Sequence, residues 1–287
     1  MNVRLSGTER TKLAAKIKAD IEAASVAHFK EEPRDHLGAS EIGNKCKRAL
    51  VYSFRWMAAR SFDGRMHRLF NRGHMEENRI AQWFSLIGIN IEQCDATTGK
   101  QFRMEGYGHH GGSFDGGIGQ WPKGWNLPQF LVEMKTHNQK SFDKLLKFGM
   151  KESKPMHWAQ MCDYGTAFKF PYGMYVGVNK NDDDIHIEIH EIDYKYGKEL
   201  QAKAQDIISA KTLPNRIAGS PVFFDCKFCD FCGICHLDKP VQVNCRSCKN
   251  SEARTEAGKP FWFCTHWQAE IPKEAVLKAC PHWSVFR

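Results

Sequence analysis

An α/β fold is what this sequence predicts, on three grounds. Short apolar runs of strand character stand between segments of helical period. One run, Ile185 to Ile192, alternates strictly between apolar and polar residues. The run Phe130 to Thr136 is entered from a Gly- and Pro-rich loop, as a strand would be. In chain order, helices are expected over Glu9 to Ala24, Cys46 to Ala59 and His74 to Leu86. The strand Phe130 to Thr136 comes next, then helices over Ser141 to Met150 and His157 to Phe168. Tyr172 to Val178 and Ile185 to Ile192 form a hairpin across an Asn- and Asp-rich turn, and Glu199 to Ala210 closes the core as a helix.

Composition narrows the function. Of 287 residues, 42% are hydrophobic and 26% charged, which suits a globular chain and excludes a disordered or fibrous one. The longest apolar runs are far too short to span a bilayer, so no membrane role is expected. Met1-Asn2-Val3-Arg4 lacks a secretory core, so a reducing cytoplasm is expected. Eight of the 11 cysteines lie between Cys226 and Cys280, mostly as C-x2-C pairs. In a reducing compartment, metal ligation explains them better than disulfides.

The formal charge of +8 is unevenly placed. Between Ser40 and Arg72 stand eight Lys or Arg against two acids, interleaved with Tyr52, Phe54, Trp56, Phe62 and Phe70. Basic and aromatic side chains together suit a phosphate backbone and stacked bases. A solvated helix face over a core of aromatics is the competing explanation.

The chemistry concentrates in Gly112-Ser113-Phe114-Asp115-Gly116 and in Leu131-Val132-Glu133-Met134-Lys135-Thr136. On a strand, Glu133 and Lys135 project from one face. Asp115, 18 residues earlier, sits in a Gly-rich bend that returns it beside Glu133. Two carboxylates and an ammonium converging there suit a hard cation such as magnesium and a phosphate. Lys135 is placed to orient water or to stabilise charge developing on the phosphate.

These elements resemble the PD-(D/E)XK nuclease superfamily, in particular its RecB-like and YqaJ-like exonuclease branch. Asp115 and Glu133-Met134-Lys135 match the core motif, with Phe-Asp in place of Pro-Asp. Gly73-His74-Met75-Glu76-Glu77 is similar to the upstream G-x-x-x-E element, and Gln160-Met161-Cys162-Asp163-Tyr164 to the Q-x-x-x-Y element. The resemblance implies a restriction-endonuclease-like core: a central mixed sheet flanked by helices, carrying a magnesium- or manganese-dependent deoxyribonuclease. Its expected catalytic residues are Asp115, Glu133, Lys135 and Glu77, with Glu77, Asp115 and Glu133 holding the cation. The spacing selects Glu77 over Glu76, since adjacent helix residues do not both face inward. Gln160, Tyr164, Arg48 and Ser40 are the expected DNA contacts. An exonuclease of recombination, repair or phage DNA processing is implied, with a recombination or replication protein as possible partner. A structure-specific endonuclease and a catalytically silent DNA-binding module stay open. His74, His109 and His110 are expected to be surface or satisfied core residues rather than ligands.

Cys46, before the core, and Cys226-x2-Cys229-x5-Cys235, after it, resemble the iron–sulfur staple of CRISPR-adaptation and AddB-type nucleases. The resemblance implies a [4Fe–4S] cluster on Cys46, Cys226, Cys229 and Cys235. Cys232 leaves open a local zinc site on Cys226, Cys229, Cys232 and Cys235. Cys245-x2-Cys248 with Cys264 and Cys280 fits a four-thiolate zinc ribbon, with His266 or His282 as substitutes for one thiolate. The expected organisation is therefore an N-terminal helical segment over residues 1–39, a nuclease core over residues 40–235, and a zinc-ribbon-like segment over residues 236–287.

Overall fold

The computed structural model describes residues 4–29, 34–58, 61–104, 107–114 and 116–287. Asp115 and Arg60 lie outside the described residues. The chain runs α1 (Gly7–His28), β1 (Leu37–Gly38), α2 (Lys47–Phe54), α3 (Gly64–Ser85), β2 (Asn90–Glu92), β3 (Arg103–Met104), β4 (His110–Ser113), β5 (Gly117–Gln120) and β6 (Phe130–His137). There follow α4 (Gln139–Ser153), α5 (Pro155–Phe168), β7 (Tyr172–Asn179), β8 (Ile185–Glu191), α6 (Tyr194–Ile208), the short α7 (Phe224–Lys227) and α8 (Cys232–His236), then β9 (Ser251–Glu256), β10 (Lys259–Cys264) and β11 (Ala269–Glu270).

A five-stranded mixed sheet in the order β2-β5-β6-β7-β8 forms the centre, so the expected α/β class with a helix-flanked mixed sheet is what the chain adopts. β6 and β7 are parallel, joined by the α4–α5 crossover, and every other pair in this sheet is antiparallel. β6 is buried on both faces, which is why it reads as an apolar run. Its pleat sends Phe130, Val132 and Met134 under α3, where Ile80 and Phe84 cover them. Leu131 and its odd-numbered successors point the other way, towards α4 and α5. Gly116 lies so close to the Val132 carbonyl that a Cβ there would clash with it. Only glycine lets the segment after Asp115 approach β6 this closely.

Several elements differ from expectation. The helix expected from His74 is the second half of α3, which starts at Gly64 because the Asp63 side chain accepts from the Met66 amide. Helix α2 stops at Phe54, and Trp56 follows with φ of 50°. The strict alternation of β8 is real, but its polarity is reversed from the usual arrangement. Ile185, Ile187 and Ile189 face solvent at 42, 46 and 51% exposure. Glu188 turns inward to accept from the Met150 amide and to pair with His186 and His190.

Residues beyond α8 fold against the core. Trp262, Ile271, Val276 and Phe286 belong to the same buried cluster as the apolar residues of α2 and α5. Two buried arginines cross the seam in opposite directions. Arg55, at the end of α2, donates through Nη1 to the Arg246 carbonyl at 2.9 Å and through Nη2 to the Ser251 carbonyl at 3.2 Å. Arg246 reaches back, donating through Nη1 to the Arg34 carbonyl at 3.1 Å and through Nη2 to the Phe54 carbonyl. Its guanidinium lies over Trp56 at 4.0 Å and Trp262 at 4.8 Å from the ring centres. Burial lowers Arg55 to about 10, so it remains charged at neutral pH.

Arg246→Ala therefore removes a buried donor pair and the plate between two indoles. It should destabilise the chain by about 3 kcal/mol in urea denaturation, with β9 to β11 losing their seat on the core. A loss below about 1 kcal/mol would show that this side chain does not hold the two parts together.

Candidate active site

Glu133 sits in the middle of β6 with no exposure, and Lys135 Nζ lies 2.6 Å from its Oε1. The Lys135 side chain is 22% exposed at an open cleft of about 1140 Å3, more than one small ligand needs. The pair is thus a carboxylate withdrawn into the sheet with its ammonium at the opening. A buried carboxylate is costly unless compensated, and here the adjacent ammonium supplies compensation. Across the parallel pairing, Glu133 stands opposite Tyr175 of β7.

Glu76 and Glu77 of α3 both line this cleft, together with Ser40, Glu41 and Lys135. The expectation that only one of the two adjacent glutamates faces inward is corrected, because the cleft wraps around this turn of α3. They differ in engagement. Glu76 pairs with Arg79 at 2.9 Å, and Arg79 also holds Asp183. Glu77 is 13% exposed, with His74 Nδ1 3.7 Å away. The third acid of the expected set, Asp115, lies outside the described residues, but Phe114 and Gly116 on either side are buried.

Helix α5 packs on the face of β6 that carries its odd-numbered residues. Gln160 is buried, and Tyr164 is buried with its hydroxyl donating to the Ser113 carbonyl at 2.8 Å. Tyr164 thus holds the segment leading to Asp115. One turn before Gln160, His157 joins a polar chain absent from the sequence expectations. His157 Nδ1 lies 2.9 Å from the Tyr175 hydroxyl, which is also 2.9 Å from His137 Nε2. His137 Nδ1 lies 3.2 Å from Ser141 Oγ, which accepts from Lys154 Nζ at 2.6 Å. Burial lowers His157 to about 3, and Lys135, His137 and Lys154 push it further down. Burial likewise lowers His137 to about 4, with Lys154, Lys180 and Lys135 adding to it. Both rings are neutral at physiological pH. The i, i+3 spacing of His157 and Gln160 was the available sequence signal.

The other expected contacts sit as follows. Ser40 is exposed at the cleft, its Oγ accepting from Arg34 at 3.0 Å. Arg48 donates to the Tyr52 hydroxyl at 2.8 Å and to the Pro214 carbonyl at 3.1 Å. Of the basic stretch, Arg55 is interior and Arg68 pairs with Glu22, so a wholly solvated or wholly phosphate-facing stretch is corrected. His109 and His110 are satisfied core residues, the first between the Arg254 and Phe261 carbonyls and the second between Leu37 and Asp163.

Cys46 caps α2 at one side of the cleft-bearing core. Burial, then the neighbouring Cys235 and Cys46, push the Cys226 thiol up, with Cys232 next. Cys46 and Cys235 likewise raise Cys229, after burial. In the C-terminal segment, Cys245, Cys248, Cys264 and Cys280 line one pocket with His266 and His282. The Cys245 thiol is turned onto the Lys278 carbonyl at 3.2 Å. Among the described residues, no three His, Cys, Asp or Glu side chains stand converged as a ready metal site.

No family model and no curated protein matches the chain. Among solved structures, it is similar to an alkaline exonuclease (LHK-Exo) from Laribacter hongkongensis, at 15% identity over 66% of this chain and 90% of that one, with a TM-score of 0.40. The same exonuclease in complex with dAMP gives 12% identity over 66% and 90%, with a TM-score of 0.41. The protein SSO0001 gives 17% identity over 76% and 96%, with a TM-score of 0.42. Likeness at this level does not reach the chemistry of the site.

Proposed function

We propose that this chain is a divalent-cation-dependent DNA nuclease, acting as an exonuclease in recombination, repair or phage DNA processing. One observation carries the reading: the Glu133–Lys135 pair on the central strand, opening on a cleft that also holds Glu77. Glu133, Glu77 and Asp115 would hold magnesium or manganese. The donor chemistry fits, being carboxylate oxygens with a buried member to anchor the site. Such a cation, when bound, polarises the phosphate and favours deprotonation of water. Lys135 places a compact positive charge beside the phosphate oxygens, and Tyr164 fixes the Ser113 carbonyl and with it the approach to Asp115. The resemblance to RecB-like and YqaJ-like exonucleases points the same way.

The cysteines belong to the same proposal. Cys46, Cys226, Cys229 and Cys235 suit a [4Fe–4S] cluster, as the resemblance to the iron–sulfur-stapled nucleases implies. Cys245, Cys248, Cys264 and Cys280 suit one zinc, which would draw the Cys245 thiol off the Lys278 carbonyl it now faces.

Digestion of end-labelled linear and circular DNA, single- and double-stranded, with magnesium or manganese tests the activity. Wild type should degrade linear DNA and spare circles. Glu133→Ala should lose cleavage by at least about 100-fold while still binding DNA. Cleavage by Glu133→Ala at the wild-type rate would place the active site elsewhere.

Anaerobic purification tests the cysteine assignments. It should give brown protein with about four irons and one zinc per chain, the iron lost in Cys46→Ser. Two zincs and no iron, unchanged in Cys46→Ser, would assign the first cluster to zinc on Cys226, Cys229, Cys232 and Cys235 instead.

A further inference from the structure

We propose that His157 is a substrate-contacting residue, presenting an Nε2–H donor to a phosphate oxygen of the nucleic acid at the Glu133–Lys135 pair. The inference rests on the nuclease reading and adds a residue that the motifs behind that reading do not contain. Its origin is the proton order of the chain from Lys154 to His157. An ammonium only donates, so Ser141 Oγ accepts from Lys154 at 2.6 Å. Ser141 is then left with its own proton to give, and His137 Nδ1, 3.2 Å away, receives it. With Nδ1 accepting, neutral His137 carries its proton on Nε2 and donates to the Tyr175 oxygen at 2.9 Å. The single Tyr175 proton is thereby directed at His157 Nδ1, also 2.9 Å away. His157 must then carry its proton on Nε2. The reverse order would leave the Ser141 proton without an acceptor among the described residues.

Position supports the role as well as tautomer. His157 is half-buried, one turn before Gln160 on α5, and its ring stacks on Tyr175 at 5.7 Å between centres. Tyr175 in turn stands opposite Glu133 in the sheet register. Burial and the nearby Lys135 keep the ring neutral, so the donor adds no charge to the pair. A neutral N–H beside an ammonium is the donor set that two oxygens of one phosphodiester accept. Tyr175 and His137 are positioning residues in this scheme, acting only through His157.

Isosteric replacement separates a substrate donor from a structural anchor. The glutamine amide reproduces the Nε2–H position of histidine, and the asparagine amide reproduces Nδ1. The full chain and its His157→Gln, His157→Asn and Tyr175→Phe variants are assayed on a 5′-fluorescein-labelled linear DNA at saturating manganese, with thermal unfolding as the control for folding. His157→Gln should keep kcat/KM within about fivefold of wild type, whereas His157→Asn should lose roughly 100-fold at an unchanged Tm. Tyr175→Phe, which only releases the tautomer, should lose about three- to tenfold. An active His157→Asn beside an impaired His157→Gln would overturn the proposal, because the bond to Tyr175 would then be what matters. Wild-type rates in all three variants would overturn it while leaving the nuclease reading intact. A wild type that cleaves no DNA would instead remove the nuclease reading, and this inference with it.

Discussion

A carboxylate with no contact to water sits at the centre of the main sheet, and much of the molecule is arranged around that fact. Glu133 is flanked by apolar residues on its own strand and faces the helix pair α4–α5 rather than solvent. Its charge is compensated by Lys135 two residues on, the shortest route a strand offers for placing an opposite charge on the same face. The requirement for that pairing explains why β6 is central, parallel to β7 and covered on both faces. A strand at the sheet edge would have let water do the same work, and the carboxylate would have lost its low-dielectric setting.

A second constraint is the seam between the core around the five-stranded sheet and the cysteine-rich end. Arg55 and Arg246 exchange donors for backbone carbonyls across it, and both guanidiniums are stacked on aromatic rings. Because α2 carries Cys46 at its start and Arg55 just past its end, one short helix links the first cysteine group, the core and the C-terminal meander. Through the Arg246 and Cys248 carbonyls, Arg55 ties the end of α2 to the turn that carries Cys245 and Cys248.

Some of this was legible in the sequence, and the reasons are physical. β6 was readable because burial on both faces demands an unbroken apolar run. The β7–β8 hairpin was readable because its turn is written in Asn and Asp. The first half of α3 was not, since its Arg, His and Phe residues pack against α1 and give no stripe by themselves. β2 and β5 are three and four residues long, and pairing with β6 rather than propensity makes them strands. Nothing local marked Arg55 and Arg246 as buried, because their partners lie some 190 residues away. The chain from Lys154 to His157 joins α4, α5, β6 and β7, and contacts of that kind follow from packing rather than from spacing.

The central claim is that the buried Glu133 carboxylate is a cation ligand held in place by the sheet. Calorimetric titration of manganese into the DNA-free chain tests it without recourse to turnover. Wild type should show a saturable site that Glu133→Gln, isosteric but uncharged, weakens by roughly 100-fold at an unchanged melting temperature. Manganese bound equally well by Glu133→Gln would contradict the account, leaving Glu133 as no more than the buried partner of Lys135.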